Sequence, residues 1–361
     1  MKKQHFVKLS LAAAAVVGTL AGGNAMADVT VFGIADIGIM NSKAPGSTGS
    51  TSVKSGGMST SAFGIKGSED LGDGMKANFG LSAFLDLSNG GYLTGFDGGS
   101  YLFTREAWVG LSTKNAGSFT FGRDVNPSFI PHILFNAFGD STTYSPLWHA
   151  TYFDSVLGTS AASNNAAKIS AQSRGLYDDT AWSNQIRYTT PSIGGVVADF
   201  NYAPNTTGDN FGANAMYFNG PVGLSAYYME TRTRSTGSLD TDIYTTHKPA
   251  KVYFVGGSYD LGMAKVFASY QTGKQVSAVT TEASTYHISA QIPAGPGKVL
   301  VSYADTKTTN ASSVKFGQTA LGYLMPLSKS TDVYANYLYG SEKTTSTSNG
   351  SAIGVGIRKF F

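Results

Sequence analysis

The chain has 361 residues with no cysteine, 44 glycines, 20 tyrosines and 21 phenylalanines, and only 14% of it is charged. This excludes a disulfide framework and any thiolate chemistry, and it favours a β-protein. The 26 Lys and Arg exceed the 23 Asp and Glu by three, but Lys2, Lys3 and Lys8 all precede the apolar run LSLAAAAVVGTLAGG, and without them the balance is 23 against 23, which offers nothing to nucleic acid.

Those lysines, the short apolar run and the small residues around Asn24-Ala25-Met26-Ala27 have the form of a secretory signal for the Sec pathway, cleaved after Ala27. Residues 28–361 would then be the mature chain. None of its apolar runs reaches the ~20 residues that a spanning helix needs.

From Asp28 onward the pattern has period two. In DVTVFGIADIGIM, Val29, Val31, Ile37 and Ile39 share one face and Asp36 lies on the other. In STSAFGIKGSED, Phe63 and Ile65 oppose Ala62, Gly64 and Lys66. In MKANFGLSAFLDLS, the odd positions from Met75 to Leu87 are all apolar, against Lys76, Asn78, Ser82 and Asp86, a run too long for an ordinary sandwich strand. SNQIRYTTP sets Ile186 and Tyr188 against Gln185 and Arg187, and TDVYANYLYG sets Val333, Tyr337 and Tyr339 against Asn336.

The pattern predicts sixteen strands, at about 28–40, 59–68, 75–88, 101–112, 117–124, 182–190, 195–203, 210–218, 222–232, 250–260, 263–273, 284–292, 297–306, 314–325, 331–341 and 351–361. Short turns such as SEDLGDG, NGP, YDLG, PAGPG and PLSKS alternate with longer polar links, among them 41–58, 233–249 and 343–349. Strict short-long alternation is the mark of an up-and-down barrel with two unlike rims. With apolar strand faces turned to lipid, the fold expected is an all-β, transmembrane, antiparallel 16-stranded β-barrel.

One link is out of proportion. More than fifty residues separate Arg123 from Trp182, and they carry Phe129, Ile130, Ile133, Leu134, Phe135, Phe138, Trp148, Tyr152 and Phe153. So much apolar surface predicts that this third external loop, about 125–181, folds into the lumen as a constriction. At the other end, SAIGVGIRKFF alternates Ile353, Val355, Ile357 against Gly354, Gly356, Arg358 and stops on Phe361, which would lie in the aromatic girdle and close the last strand on the first.

Several stretches resemble the trimeric Gram-negative porins of the neisserial and burkholderial type: DVTVFGIADIGI, FGIKGSEDLGDGMKANF, REAWVGLS with SFTFGRD, GYLMPLSKSTDVYANY and AIGVGIRKFF. The resemblance covers nearly the whole mature chain. It implies an outer-membrane homotrimer, a water-filled barrel for passive diffusion of small hydrophilic solutes and ions, and frequently a preference for anions. It further implies insertion by the barrel-assembly machinery through Phe361, with lipid and lipopolysaccharide as neighbours. The chain departs from the family at Ala62, where an arginine commonly follows the serine, at Ser330 and at Lys359, so strong anion selectivity is not implied.

The pore-lining candidates follow from parity and from the long loop. Lys66, Lys76, Arg187 and Arg358 face the lumen, and Arg123 would be turned inward by a bend at the loop root. Asp36 and Asp86 on the wall, and Asp124, Asp140, Asp154, Asp178 and Asp179 in or beside the loop, would oppose them. A charge a few ångströms from a passing ion acts by ~1–4 kcal/mol, which is enough to bias a narrow pore and weak enough for salt to screen. Arg105 shares parity with Val109 and Leu111, which predicts a bulge or a place between subunits.

Rival readings rest on less. A barrel enzyme needs a His beside a carboxylate or a serine, and His132, His149, His247 and His287 stand in no catalytic motif. No cofactor or metal site is expected. A substrate-specific channel for an organic acid or sugar could use Tyr144, Trp148, Tyr152 and Phe153 as stacking surfaces, and an adhesin role would rest on the polar external loops.

Overall fold

A computed structural model describes residues 28–44, 48–93, 101–152, 179–205, 208–231, 250–275, 280–309, 313–343 and 347–361. Its strands are β1 (Asp28–Lys43), β2 (Ser50–Ser55), β3 (Ala62–Gly72), β4 (Met75–Asp86), β5 (Gly91–Tyr92), β6 (Glu106–Thr113), β7 (Gly117–Val125), β8 (Ala181–Thr189), β9 (Val196–Ala203), β10 (Asn210–Asn219), β11 (Val222–Thr231), β12 (Ala250–Asp260), β13 (Lys265–Gln275), β14 (Thr281–Ala294), β15 (Gly297–Thr309), β16 (Ser313–Ser328), β17 (Thr331–Lys343) and β18 (Thr347–Phe360). Two short helices, α1 (Phe129–Leu134) and α2 (Pro146–Tyr152), lie between β7 and β8.

Neighbouring strands pair antiparallel in sequence order, and β18 returns to β1, from Ile34 opposite Phe360 to Lys43 opposite Ser351. On its other side β1 meets β2 along its second half and β3 along its first, so β2 and β3 are one wall stave broken by an inward excursion at 56–61. β5 is a two-residue rung on the end of β4. Removing these two leaves the 16 staves that the alternation predicts. The polar stretch 41–58, expected to be all loop, therefore contributes strand β2, because Thr51 and Val53 keep the outward register set by Asn41 and Ile39.

The tight turns form at one rim. Gly72, Asp73 and Gly74 adopt φ of 87°, 51° and 75°, a run of left-handed backbone that only Gly and Asp or Asn enter cheaply. Outside the barrel, apolar side chains stand open: Ile39 is 56% exposed, Leu321 53% and Val355 55%. A belt of this kind all round a closed sheet is a lipid-facing surface. At the seam, Phe361 exchanges both backbone hydrogen bonds with Gly33, N–H to O at 3.1 and 2.8 Å. A Cβ on Gly33 would come within 2.3 Å of the Phe361 ring, so the last residue lies flat on the first stave as expected.

Inside, two apolar clusters hold the long loop. Phe135 packs with Trp182, Tyr227, Met229, Val252 and Phe254 on one stretch of wall. Phe138 and Tyr144 pack with Leu300, Phe316, Tyr334 and Leu338 on another. The described first part of the loop, up to residue 152, is thus folded into the lumen along the inner faces of β11 to β18.

Candidate functional site

The site is the inner face of the barrel and the loop that crosses it. At the loop root, the β7–β8 pairing shifts register between Gly122 and Asp124, and Asn184 opposite has φ 57°. This bulge is the bend anticipated at Arg123. Arg123 is buried and forms an ion pair with Asp179, donates Nε to the Thr104 carbonyl at 2.8 Å and reaches Ser183 Oγ at 3.0 Å. Asn126 Nδ2 binds the Asp179 carbonyl at 2.5 Å. Arg123 and Asp179 therefore clamp the two ends of the loop together instead of offering charge to the pore.

At the loop tip, the excursion 56–61 turns inward because Asp36 captures it. Asp36 Oδ1 accepts from Gly57 N–H at 3.0 Å and from the Tyr334 hydroxyl at 2.6 Å, while Oδ2 accepts from Met58 and Ser59 N–H, both at 2.8 Å. Tyr334 threads between two glycines to arrive there: a Cβ on Gly57 or Gly356 would lie 2.0 or 2.3 Å from its hydroxyl. The captured excursion then holds the loop. Ser141 Oγ and Thr143 Oγ1 donate to the carbonyls of Gly57 and Gly56 at 2.7 and 2.8 Å, and Ser59 Oγ donates to Asp140 at 2.7 Å. Asp36 is thus a structural anchor, with no exposure to the pore.

Most of the remaining wall charges are matched. Arg187 bridges Asp124 at 3.2 Å and Asp199 at 2.8 Å. Arg358 pairs with Asp332 at 3.0 Å and donates to Ser59 Oγ at 2.7 Å. Lys66 faces inward and exposed, 5.3 Å above the Phe32 ring, and Lys76 lies inward at the short-turn rim opposite Asp70. Asp86 caps the external turn through Ser88 and Asn89 and belongs to no constriction. Asp154 and Asp178 fall outside the described residues.

Arg105 corrects the parity argument. Residues 102–105 are bends and β6 begins only at Glu106, so the alternation does not reach back to it. Arg105 lines an inner recess with Thr60, Phe129, Asp140 and Trp148. Three inward carboxylates escaped the sequence reading: Glu106, held by Ser82 Oγ at 2.9 Å and Trp108 Nε1 at 3.1 Å, together with Asp199 and Asp332. The alternation of VVADFNY and TDVYANY carried the signal for the latter two.

Tyr144 and Trp148 are used up in packing, each 1% exposed. These two are not stacking surfaces open to a solute, while the side chain of Tyr152 and all of Phe153 lie outside the description. His287 sits between Ser269 Oγ at 3.2 Å and Ser302 Oγ at 3.1 Å. His132 lies among Trp148, Tyr227 and Phe254, and burial lowers its pKa to about 4. Among the described residues no cluster of His, Asp or Glu has metal-site geometry.

A sequence model described as Gram-negative porin matches residues 11–345. The chain belongs to the Gram-negative porin family. This porin is 31% identical to outer membrane porin protein 32 of Delftia acidovorans over 97% of its length and 94% of that protein's. It is 26% identical to an outer membrane porin of Bordetella pertussis, over 98% of this chain and the whole of the other. Among solved structures, the anion-selective porin from Comamonas acidovorans superposes with a TM-score of 0.74 at 24% identity, covering 93% of this chain and 100% of that one. The outer-membrane protein OmpT of Vibrio cholerae gives 0.63 at 14% identity over 95% and 100%. The porin is accordingly an integral outer-membrane channel.

Proposed function

We propose that this porin is a passive channel for small hydrophilic solutes and ions with a weak anion preference, narrowed by the loop at about 125–181, and that it performs no bond chemistry. One observation carries the selectivity. Lys54, Lys66, Lys76, Arg105, Lys265 and Lys298 face inward without an ion-pair partner among the described residues, whereas Arg358 neutralises Asp332 and Arg187 offsets one of the two charges of Asp124 and Asp199. Asp36, Glu106, Asp140 and one charge of the Asp124–Asp199 pair remain to oppose six cations, so the field inside leans positive. The anion selectivity named for the Comamonas porin supports the same sign. The test is the reversal potential of the refolded mature protein under a KCl gradient: the anion side is expected, and the cation side would overturn the preference.

The assembly proposed is a homotrimer. On β1, β2 and β18 the outward face is aliphatic, with Ile37, Ile39, Val53, Ile353, Val355 and Ile357, while tyrosines line the outside of β8 to β17. An aliphatic face, bounded by Phe361 at the short-turn rim and free of the tyrosines found elsewhere, suits contact with another subunit. Native mass spectrometry should give three chains per particle, and bilayer insertions should come in triplets. Export by a signal at 1–27 predicts Asp28 as the mature N-terminus, and delivery to the assembly machinery through Phe361 predicts that its deletion lowers the inserted amount. No cofactor and no nucleic-acid partner is part of this proposal.

A further inference from the structure

Two aromatic side chains on the inner wall rest on glycines, with a lysine between them. Trp108 faces inward from β6, and its indole lies across Gly80 of β4, where a Cβ would stand 2.8 Å from Cε2 and 2.9 Å from Cζ2 and Nε1. Phe32 of β1 lies on Gly64 of β3 in the same way, with its Cζ 2.6 Å from that position. Lys66, directly opposite Gly80, holds its ammonium 5.3 Å above the Phe32 ring. It is exposed and has no ion-pair partner among the described residues, and Trp108 is half-buried. Glu106 accepts from Trp108 Nε1 at 3.1 Å through one oxygen and from Ser82 Oγ at 2.9 Å through the other.

These contacts gather two opposite charges and one aromatic surface in a single small patch. Gly64, Ser82 and Glu106 are successive partners across β3, β4 and β6. The Lys66 ammonium above Gly64 and the Glu106 carboxylate at Ser82 therefore share a rung on neighbouring staves, about 5 Å apart along the wall, and no ion pair joins them. The indole lies one inward-facing position lower, over Gly80. The other charges near by are engaged or set apart: Asp124 is bridged to Arg187, Arg105 turns into the recess it shares with Asp140, and Lys76 faces Asp70 four residues nearer the short-turn rim. The patch spans β1 to β6, away from the staves β11 to β18 that the described part of the loop covers, and the exposure of Lys66 opens it to the lumen.

We propose that Lys66, Glu106 and Trp108 form a subsite for zwitterionic aromatic amino acids inside the channel, with the α-carboxylate at Lys66, the α-ammonium at Glu106 and the side-chain ring against the indole. The two charged groups of an α-amino acid sit on one carbon, close enough to face a cation and an anion on neighbouring staves, and each gains a charge-assisted hydrogen bond. The planar ring adds offset stacking on the indole. Such a solute carries no net charge, so the positive lean of the lumen does not account for its retention. The subsite rests on the open-channel reading above and adds a solute class to it.

The test is transient block of single-channel current through the full-length mature porin in dilute KCl, with four probes added in the millimolar range: L-phenylalanine, 3-phenylpropanoate, which lacks the ammonium, 2-phenylethylamine, which lacks the carboxylate, and L-alanine, which lacks the ring. Phenylalanine is expected to block best, and each missing group to raise the half-blocking concentration about fivefold. The variants assign the groups. Lys66→Gln should erase the advantage of phenylalanine over 2-phenylethylamine, Glu106→Gln its advantage over 3-phenylpropanoate, and Trp108→Leu its advantage over alanine, each leaving the other two differences in place. Block by phenylalanine no stronger than by alanine or 3-phenylpropanoate, or variants that keep the difference they should erase, would overturn the subsite. KCl conductance of each variant reports folding; if Trp108→Leu gives no channels, the exposed Lys66→Gln carries the test. A wild type that conducts without discriminating among the probes sinks the subsite and leaves the channel standing, whereas a folded wild type that does not conduct sinks both.

Discussion

Replacing Asp36 is the most incisive perturbation of the pore. Its two oxygens take four donors, two each, and three of those donors belong to the buried residues Met58, Ser59 and Tyr334. Asp36→Ala would strand them, at about 1–3 kcal/mol apiece before relaxation and water entry, so a net cost of about 3 kcal/mol is expected. Asp36→Asn is expected to cost nearly as much, because an amide NH2 placed at either oxygen position meets two donors and accepts from neither. The released excursion 56–61 would no longer present the Gly56 and Gly57 carbonyls to Thr143 and Ser141. Single-channel recordings should therefore show larger and noisier conductance in both variants, with a lower temperature for loss of the folded band on gels. If Asp36→Asn conducts quietly at the wild-type level and melts with it, the anchoring argument is wrong.

Removing one arm of the loop clamp, as in Arg123→Gln or Asp179→Asn, leaves a buried charge unmatched and should cost about 3–5 kcal/mol, with the double variant less destabilised than the two losses combined; thermal unfolding of the three proteins checks it. The His132 ring, ordinarily near 6.5, titrates at about 4 in the folded state because it is buried. The unfolded chain thus takes up a proton between pH 6.5 and 4 that the folded one refuses, so stability falls with pH in that window by up to about 3 kcal/mol, and His132→Gln should flatten this slope in melting curves taken from pH 7 to 4. Arg105→Gln with Lys298→Gln should move the reversal potential toward the cation side at low salt and lose the difference at 1 M KCl, where the screening length is about 3 Å. Gly356→Ala should disturb the pore as Asp36→Ala does, since its methyl would lie 2.3 Å from the Tyr334 hydroxyl and 2.4 Å from the ring carbon that bears it, and Tyr334→Phe in the same chain should not restore quiet conductance, because the ring carbon stays and the bond to Asp36 is lost.

The staves were legible because lipid outside and water inside impose a strict period of two, and MKANFGLSAFLDLS or SAIGVGIRKFF has no other comfortable conformation. Parity also placed Lys66, Arg187 and Arg358 inside. It failed where the strand is interrupted. Arg105 belongs to a bend, and Ser50–Ser55 hides its alternation among serines and threonines too small to signal a face. Asp36 was assigned to the correct wall but not to its task, because its partners lie 21 to 298 positions away and nothing in the local pattern names them. Charge alone marks a residue for the lumen, while the hydrogen bonds that decide whether the charge is free are set by the closed sheet.

The bond between Tyr334 and Asp36 joins residues 298 apart, and this has a kinetic meaning. Stave β17 can deliver that hydroxyl only when β18 has zipped onto β1, so the narrow part of the pore cannot be finished before the cylinder itself. A chain stalled with its seam open would hold most of its strands and yet leave the inward excursion untethered. By this geometry the channel acquires its final bore at the same step that seals its wall.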